Sequence, residues 1–273
     1  MIGFLRRIVK GIVRAVRCAP AQIPVYVPVL QSELLKGRTA LVTGGGGGIG
    51  YAIAEAFLCA GAKVVISGRN EEKLKEAVSK LTTKGEVSFV QMDNAHVASF
   101  GVAISSIPAF DILVNNAGYV GGGSFGNTQE SEYDKVMDTN LKGAYFLSEA
   151  VSKLWIQNGI KGNILNICSA SSLRPGQSPY ILSKWGLRAL TVGMAKSLIK
   201  HGIVVNGLAP GCTNTQKFSP NGDIANARNP SGRMVTVEEI ANMAVILVSS
   251  LSRMIVGDVV YITGGGAITT LDD

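Results

Sequence analysis

The chain has 273 residues, 47% of them hydrophobic, with a mean hydropathy of +0.27; this excludes a disordered protein and suits one large domain or two small ones. No apolar run approaches the roughly 18 uninterrupted residues that a membrane-spanning helix needs. The net charge of +7 sits mostly in a tail: Arg6, Arg7, Lys10, Arg14 and Arg17 fall in residues 1–32 with no acid, and the other 21 basic residues face 19 acidic ones, so no basic face suggests a nucleic-acid partner.

Residues 2–17 read as a basic amphipathic helix, with Ile2, Leu5, Ile8, Val9, Ile12, Val13 and Val16 on one stripe. Ala19 to Leu30 is apolar but broken by Pro20, Pro24 and Pro28, an extended connector. Residues 1–35 thus form an extension, and residues 36–273 the folded domain. Thr39–Val42 is a short buried strand, followed by the run TGGGGGIG at 43–50 and a helix over Tyr51–Cys59. Lys63–Ser67 is a strand, Glu71–Lys80 a helix, Val87–Met92 a strand and Val97–Ser106 a weak helix. Asp111–Val114 is a strand leading into Asn115–Asn116–Ala117–Gly118, and Glu130–Ile156 one long helix. Asn163–Ile167 is a strand, Ser178–Lys200 a helix, and Ile203–Asn206 a strand. Residues 212–232 form a polar loop, Val237–Leu251 a helix and Val259–Thr263 the last strand. Seven strands alternating with helices predict an α/β fold, a single Rossmann-type doubly wound parallel sheet. Cys18, Cys59, Cys168 and Cys212 are far apart and fit neither a metal site nor a disulfide framework. Cys59 and Cys168 lie in apolar runs and are expected to be buried; a reducing, cytoplasmic setting follows.

Two stretches carry chemistry. Strand, glycine loop, helix is the context in which Gly44, Gly48, Ile49 and Gly50 let a backbone approach a pyrophosphate at a helix N-terminus. In the helix at 178–200, Tyr180 and Lys184 stand one turn apart on one face. An ammonium beside a phenol favours the phenolate and lets the hydroxyl pass a proton near neutral pH. Tyrosine and lysine at this spacing are ordinary alone; the pair gains weight from the motifs around it.

Those motifs occur in a set order: TGGGGGIG at 43–50, NNAG at 115–118, Asn140 in DTNLKG, NICS at 166–169, YILSK at 180–184 and NGLAPG at 206–211. Over roughly residues 35–266 the chain resembles the classical short-chain dehydrogenase/reductase family, in particular its beta-ketoacyl-carrier-protein-reductase-like part. The resemblance implies the strand order 3-2-1-4-5-6-7 and a catalytic tetrad of Asn140, Ser169, Tyr180 and Lys184. Ser169 and Tyr180 would bond the carbonyl oxygen, and Tyr180 would exchange the proton. Lys184 would hold the nicotinamide ribose, and Asn140 a water joining Lys184 to solvent. By the same resemblance, Asn116, Ala117 and Gly118 lie by the adenosine ribose and Asp93 by the adenine. Pro210, Gly211, Thr213 and Thr215 lie near the nicotinamide. The reaction implied is NAD(P)H-dependent reduction of a small carbonyl compound, or the reverse; a binding protein without turnover is the alternative.

The chain departs from the family pattern in three places. The step from Ser169 to Tyr180 is eleven residues, shorter than the family's usual one, which alters the substrate side after Arg174–Pro175. Thr263 replaces a frequent aspartate, and the N-terminal extension is additional. At the end of the second strand Gly68 stands where an NAD site carries an acid, and Arg69 follows; NADP(H) is expected ahead of NAD(H). The long helices predict a homo-oligomer, a tetramer. Residues 2–17 suit either peripheral contact with an anionic membrane or packing on the protein itself.

Overall fold

In a computed structural model that describes residues 33–215, 219 and 221–268, the chain builds one seven-stranded parallel sheet. Its strands are β1 (Thr39–Thr43), β2 (Lys63–Gly68), β3 (Val87–Gln91), β4 (Ile112–Asn115), β5 (Asn163–Ile167), β6 (Val204–Pro210) and, last in sequence, β9 (Val259–Ile262). They lie in the order β3-β2-β1-β4-β5-β6-β9, the predicted order with β9 as the seventh sheet strand. β7 (Thr213–Asn214) and β8 (Val235–Thr236) pair with each other outside the sheet. The predicted helix over residues 2–17 and its connector lie outside the described residues.

Alternation along the strands divides the core. Ala40 and Val42 of β1 face the side covered by α1 (Gly48–Cys59), α2 (Glu71–Leu81) and α7 (Val237–Val248). Leu41 faces the other side, where α3 (Phe100–Ser105), α5 (Gly143–Gln157) and α6 (Pro179–Leu198) pack. There Trp155 is fully buried, with Phe110 edge-on at 5.8 Å. A sheet covered on both faces puts apolar residues at successive positions, as Ala40–Leu41–Val42 and Val64–Val65–Ile66 do.

Local chemistry sets the helix starts. Asn70 caps α2 by accepting from Lys73 N at 2.9 Å, with Glu71 and Glu72 in the first turn favouring the dipole. Ser178 caps α6 and Pro179 opens it. Thr236 and Glu239 close a capping box on α7, and Arg233 grips both Glu239 oxygens at 2.9 and 2.7 Å.

Several boundaries differ from the sequence reading. The long helix expected over 130–156 is α4 (Glu130–Met137), a π turn at Asp138–Lys142, then α5. β6 runs on to Pro210 because Gly207 to Pro210 pair with β9. β4 begins at Ile112, since Asp111 turns aside to an ion pair with Arg38 and accepts from Thr39 N. Cys168 is buried as expected, whereas Cys59 is only half-buried.

Candidate active site

β1 ends in a turn that backbone alone can form. Gly44 adopts φ +67°, and a Cβ there would stand 3.0 Å from the Ala117 Cα. A Cβ on Gly50 would collide with the Gly44 carbonyl and Asn116 Nδ2. Gly47 precedes α1 with no side-chain cap, so the first-turn amides have no intrahelical or capping partner. Close approach and open donors fit a dinucleotide pyrophosphate. Asn116 and Ala117 are fastened to this turn: both amides donate to Thr43 Oγ1 at 3.0 Å, and Asn116 Nδ2 donates to Thr43 O at 2.9 Å.

Beyond β5, Ser169 starts a 3-10 turn, its Oγ accepting from Ser171 N at 3.1 Å. Tyr180 lies in the first turn of α6, half-buried. Lys184 is buried; its Nζ donates to Ile167 O at 2.8 Å and lies 5.9 Å from the centre of the Tyr180 ring. Asn140 sits in the π turn, buried, accepting from Tyr119 N at 2.7 Å and donating to Tyr119 O and to Ser183 Oγ, both at 3.0 Å. Its side chain therefore joins the segment after β4 to α6. Burial pushes the neighbouring Cys168 thiol above its ordinary value, against the pull of the Lys184 ammonium.

A cleft of about 500 Å³ brings together Ser169, Tyr180 and Lys184 with Ile49, Asn116 and Gly118 on one side and Pro210, Gly211, Thr213 and Thr215 on another. Gly44, Gly48, Gly50, Ala117 and Asn140 stand behind or beside this wall; a Cβ on Gly48 would meet Thr215 Cγ2 at 3.8 Å. Arg69 and Asp93 are not in the wall. Arg69 is exposed at the end of β2, and Asp93 caps its own turn by accepting from Ala95 N at 3.0 Å.

The sequence reading did not single out every residue now in the cleft. Tyr119 and Ser183 hold Asn140, and the Ile167 carbonyl holds Lys184, through bonds that no motif spelled. Arg174, Arg228 and the turn from Thr263 to Gly266 also reach the cleft. Sequence placed the stretches Ala170–Pro179 and 212–232, which carry Arg174 and Arg228, at the substrate pocket, but their mixed charge selected no substrate class.

The family model for short chain dehydrogenases matches residues 38–223. The chain is 35% identical to gluconate 5-dehydrogenase of Gluconobacter oxydans, over 85% of this chain and 95% of that one. It is also 35% identical to 3-oxoacyl-[acyl-carrier-protein] reductase of Rickettsia felis, over 85% and 97%. A gluconate 5-dehydrogenase from Burkholderia cenocepacia, solved in complex with NADP and tartrate, is similar at 34% identity with TM-score 0.80, over 88% of this chain and 99% of that one. A glycine turn, an NNAG segment tied to it and a Tyr–Lys pair beside both thus recur in order within a matching fold, and the chain belongs to the short-chain dehydrogenase family.

Proposed function

We propose that the protein is an NADP(H)-dependent oxidoreductase that reduces a carbonyl on a small molecule to an alcohol, or runs the reverse reaction. One observation carries this reading: Ser169, Tyr180 and Lys184 meet in the cleft that Ile49, of the glycine turn, also lines. The dinucleotide, when bound, supplies or accepts hydride. Ser169 and Tyr180 donate hydrogen bonds to the substrate oxygen where negative charge develops. Tyr180 gives its proton in reduction and takes it back in oxidation, and Lys184 stabilises the phenolate that remains. Asn140 spends its side chain on Tyr119 and Ser183, so any water it holds for Lys184 rests on its backbone. Relatives named for gluconate and for oxoacyl carriers support the carbonyl–alcohol chemistry.

NADP(H) is preferred for a local reason. β2 ends at Gly68 with no carboxylate to repel a 2′-phosphate, and Arg69 makes no side-chain bond or ion pair among the described residues. The Burkholderia relative holds NADP. The test is oxidation of NADPH and NADH against a panel of ketones, aldehydes and oxo acids. Faster use of NADPH with any one supports the reading; binding of NADPH with no turnover across the panel would favour the binding-protein alternative.

The assembly is a homo-oligomer, a tetramer, in this reading, acting in the cytoplasm. Tyr145 and Phe146 on α5 and Leu182, Trp185 and Val192 on α6 leave large apolar surface exposed. Sedimentation as a monomer at micromolar concentration would refute it. No helix among the described residues is long and apolar enough to cross a membrane. Deleting residues 1–32 and assaying vesicle binding, assembly and activity separates membrane contact of residues 2–17 from a structural role.

A further inference from the structure

Besides Lys184, the cleft wall holds two cations, Arg174 and Arg228, and no carboxylate among its described residues. Lys184 is committed to Ile167 O and the Tyr180 ring. The two arginines are carried on segments that bond the turn that follows β9. Arg174 donates through Nη2 to Gly266 O, and its own carbonyl accepts from Trp185 Nε1 at 2.9 Å, so α6 braces it from below. The loop carrying Arg228 is clamped to the same turn: Asn229 Nδ2 donates to Thr263 O at 2.9 Å and Ser231 N to Gly264 O at 3.0 Å. Arg228 is exposed, and its guanidinium has no acceptor among the described residues. The cleft wall therefore includes one unpaired planar fork, Arg228, and a second guanidinium, Arg174, both carried on segments bonded to the turn after β9.

A guanidinium fork matches a carboxylate geometrically and forms stronger bonds with it than with any neutral group. The glycine turn at 44–50 offers backbone amides to the phosphates of a dinucleotide, so the two arginines are left for the substrate. A cleft of about 500 Å³ is of a size that takes a small molecule beside a nicotinamide.

We propose that Arg228, with Arg174, forms a subsite for the carboxylate of a small substrate, so the protein acts on an oxo acid or hydroxy acid in preference to a neutral ketone or polyol. This rests on the oxidoreductase reading of the same cleft and names its substrate class.

Matched pairs that differ in one charge test it: acetoacetate against methyl acetoacetate with NADPH, and D-gluconate against D-glucitol with NADP+. Wild type should favour the acid in at least one pair by roughly tenfold or more in kcat/KM, and Arg228→Gln should cut that acid-over-neutral ratio by roughly tenfold to a hundredfold. Arg228→Lys, keeping the charge without the fork, should fall between. No preference for the acid, or a ratio that Arg228→Gln leaves intact, overturns the proposal while the oxidoreductase reading stands. If none of the four compounds turns over, calorimetric titration of the NADP+ complex with tartrate decides. Binding that weakens tenfold in Arg228→Gln supports the subsite, and absent or unchanged binding overturns it. A carrier-bound thioester preferred over both free acids would also overturn it.

Discussion

The two ends of the cleft are built by different means. At the glycine turn the geometry belongs to the backbone: Gly44 and Gly50 have no room for a Cβ, and Asn116 and Ala117 hang from Thr43 by short bonds. At the other end Arg174 and the loop from 221 to 234 bond the turn after β9, and the loop from 119 to 127 meets the one from 170 to 178. They touch through a few bonds, such as Phe125 N to Gln177 O at 2.8 Å and Ser231 N to Gly264 O at 3.0 Å and Asn229 Nδ2 to Thr263 O. A backbone-built site tolerates almost no change and binds what many relatives bind. A site of side chains on loops is free to vary, and with it the substrate.

That contrast is breakable at the rigid end first. Gly50→Val should cost the largest effect, a loss of roughly a hundredfold or more in NADPH affinity, because the new Cβ meets the Gly44 carbonyl and no rotamer relieves it. Fluorescence titration of NADPH measures it. Circular dichroism confirms that the fold survives; retained affinity in a folded variant would show that the turn is more compliant than its contacts imply.

Gly68→Asp sharpens the comparison. A Cβ on Gly68 would find Leu74 Cδ2 at 3.5 Å, ordinary contact, so the carboxylate is admitted without strain. It should accept ribose hydroxyls and repel a 2′-phosphate, moving the NADPH-to-NADH ratio of kcat/KM toward NADH by roughly tenfold to a hundredfold. An unchanged ratio would place the 2′ position elsewhere.

A smaller effect belongs to α7, remote from the reacting groups. The Arg233 guanidinium bonded to Glu239 holds its carboxyl below the usual carboxylate range, against the cost of burial. A depressed folded value adds stability above the ordinary glutamate value near ~4.3 and loses it as pH falls through the folded one. Glu239→Gln should therefore cost roughly 1–2 kcal/mol at pH 7, and the gap to wild type should close on acidification. Denaturant unfolding at pH 7 and pH 4 reads both; a gap that widens toward acid contradicts the assignment. Activity should change little.

The same contrast explains what was legible in the sequence. The glycine turn and the Tyr180–Lys184 step could be read because each is a local pattern whose geometry the backbone dictates, whereas the strand order, set by pairings distant in sequence, followed only from the family resemblance that the ordered motifs carry. The π turn at 138–142 could not, since helical periodicity runs on through both flanks; the bond from Gly143 N to Asp138 O marks it, and within it Asn140 bonds Tyr119 and Ser183, distant in sequence. Arg228 belongs to a loop whose mixed charge selects no substrate class in the sequence; only the folded chain shows that loop fastened to the turn after β9 by the Asn229–Thr263 bond, with Arg228 in the cleft wall. Cys59 shows the opposite failure: it lies in an apolar run yet faces outward enough to be half-buried.

The central claim is that Tyr180, set beside Lys184, exchanges the proton while the dinucleotide site stands independently of it. Tyr180→Phe tests this most directly, assayed for turnover with the best carbonyl substrate and for NADPH binding by titration. The ring still packs and no donor remains, so kcat should fall by roughly a hundredfold or more with the NADPH dissociation constant changed less than about threefold. Turnover within about tenfold of wild type would contradict the account.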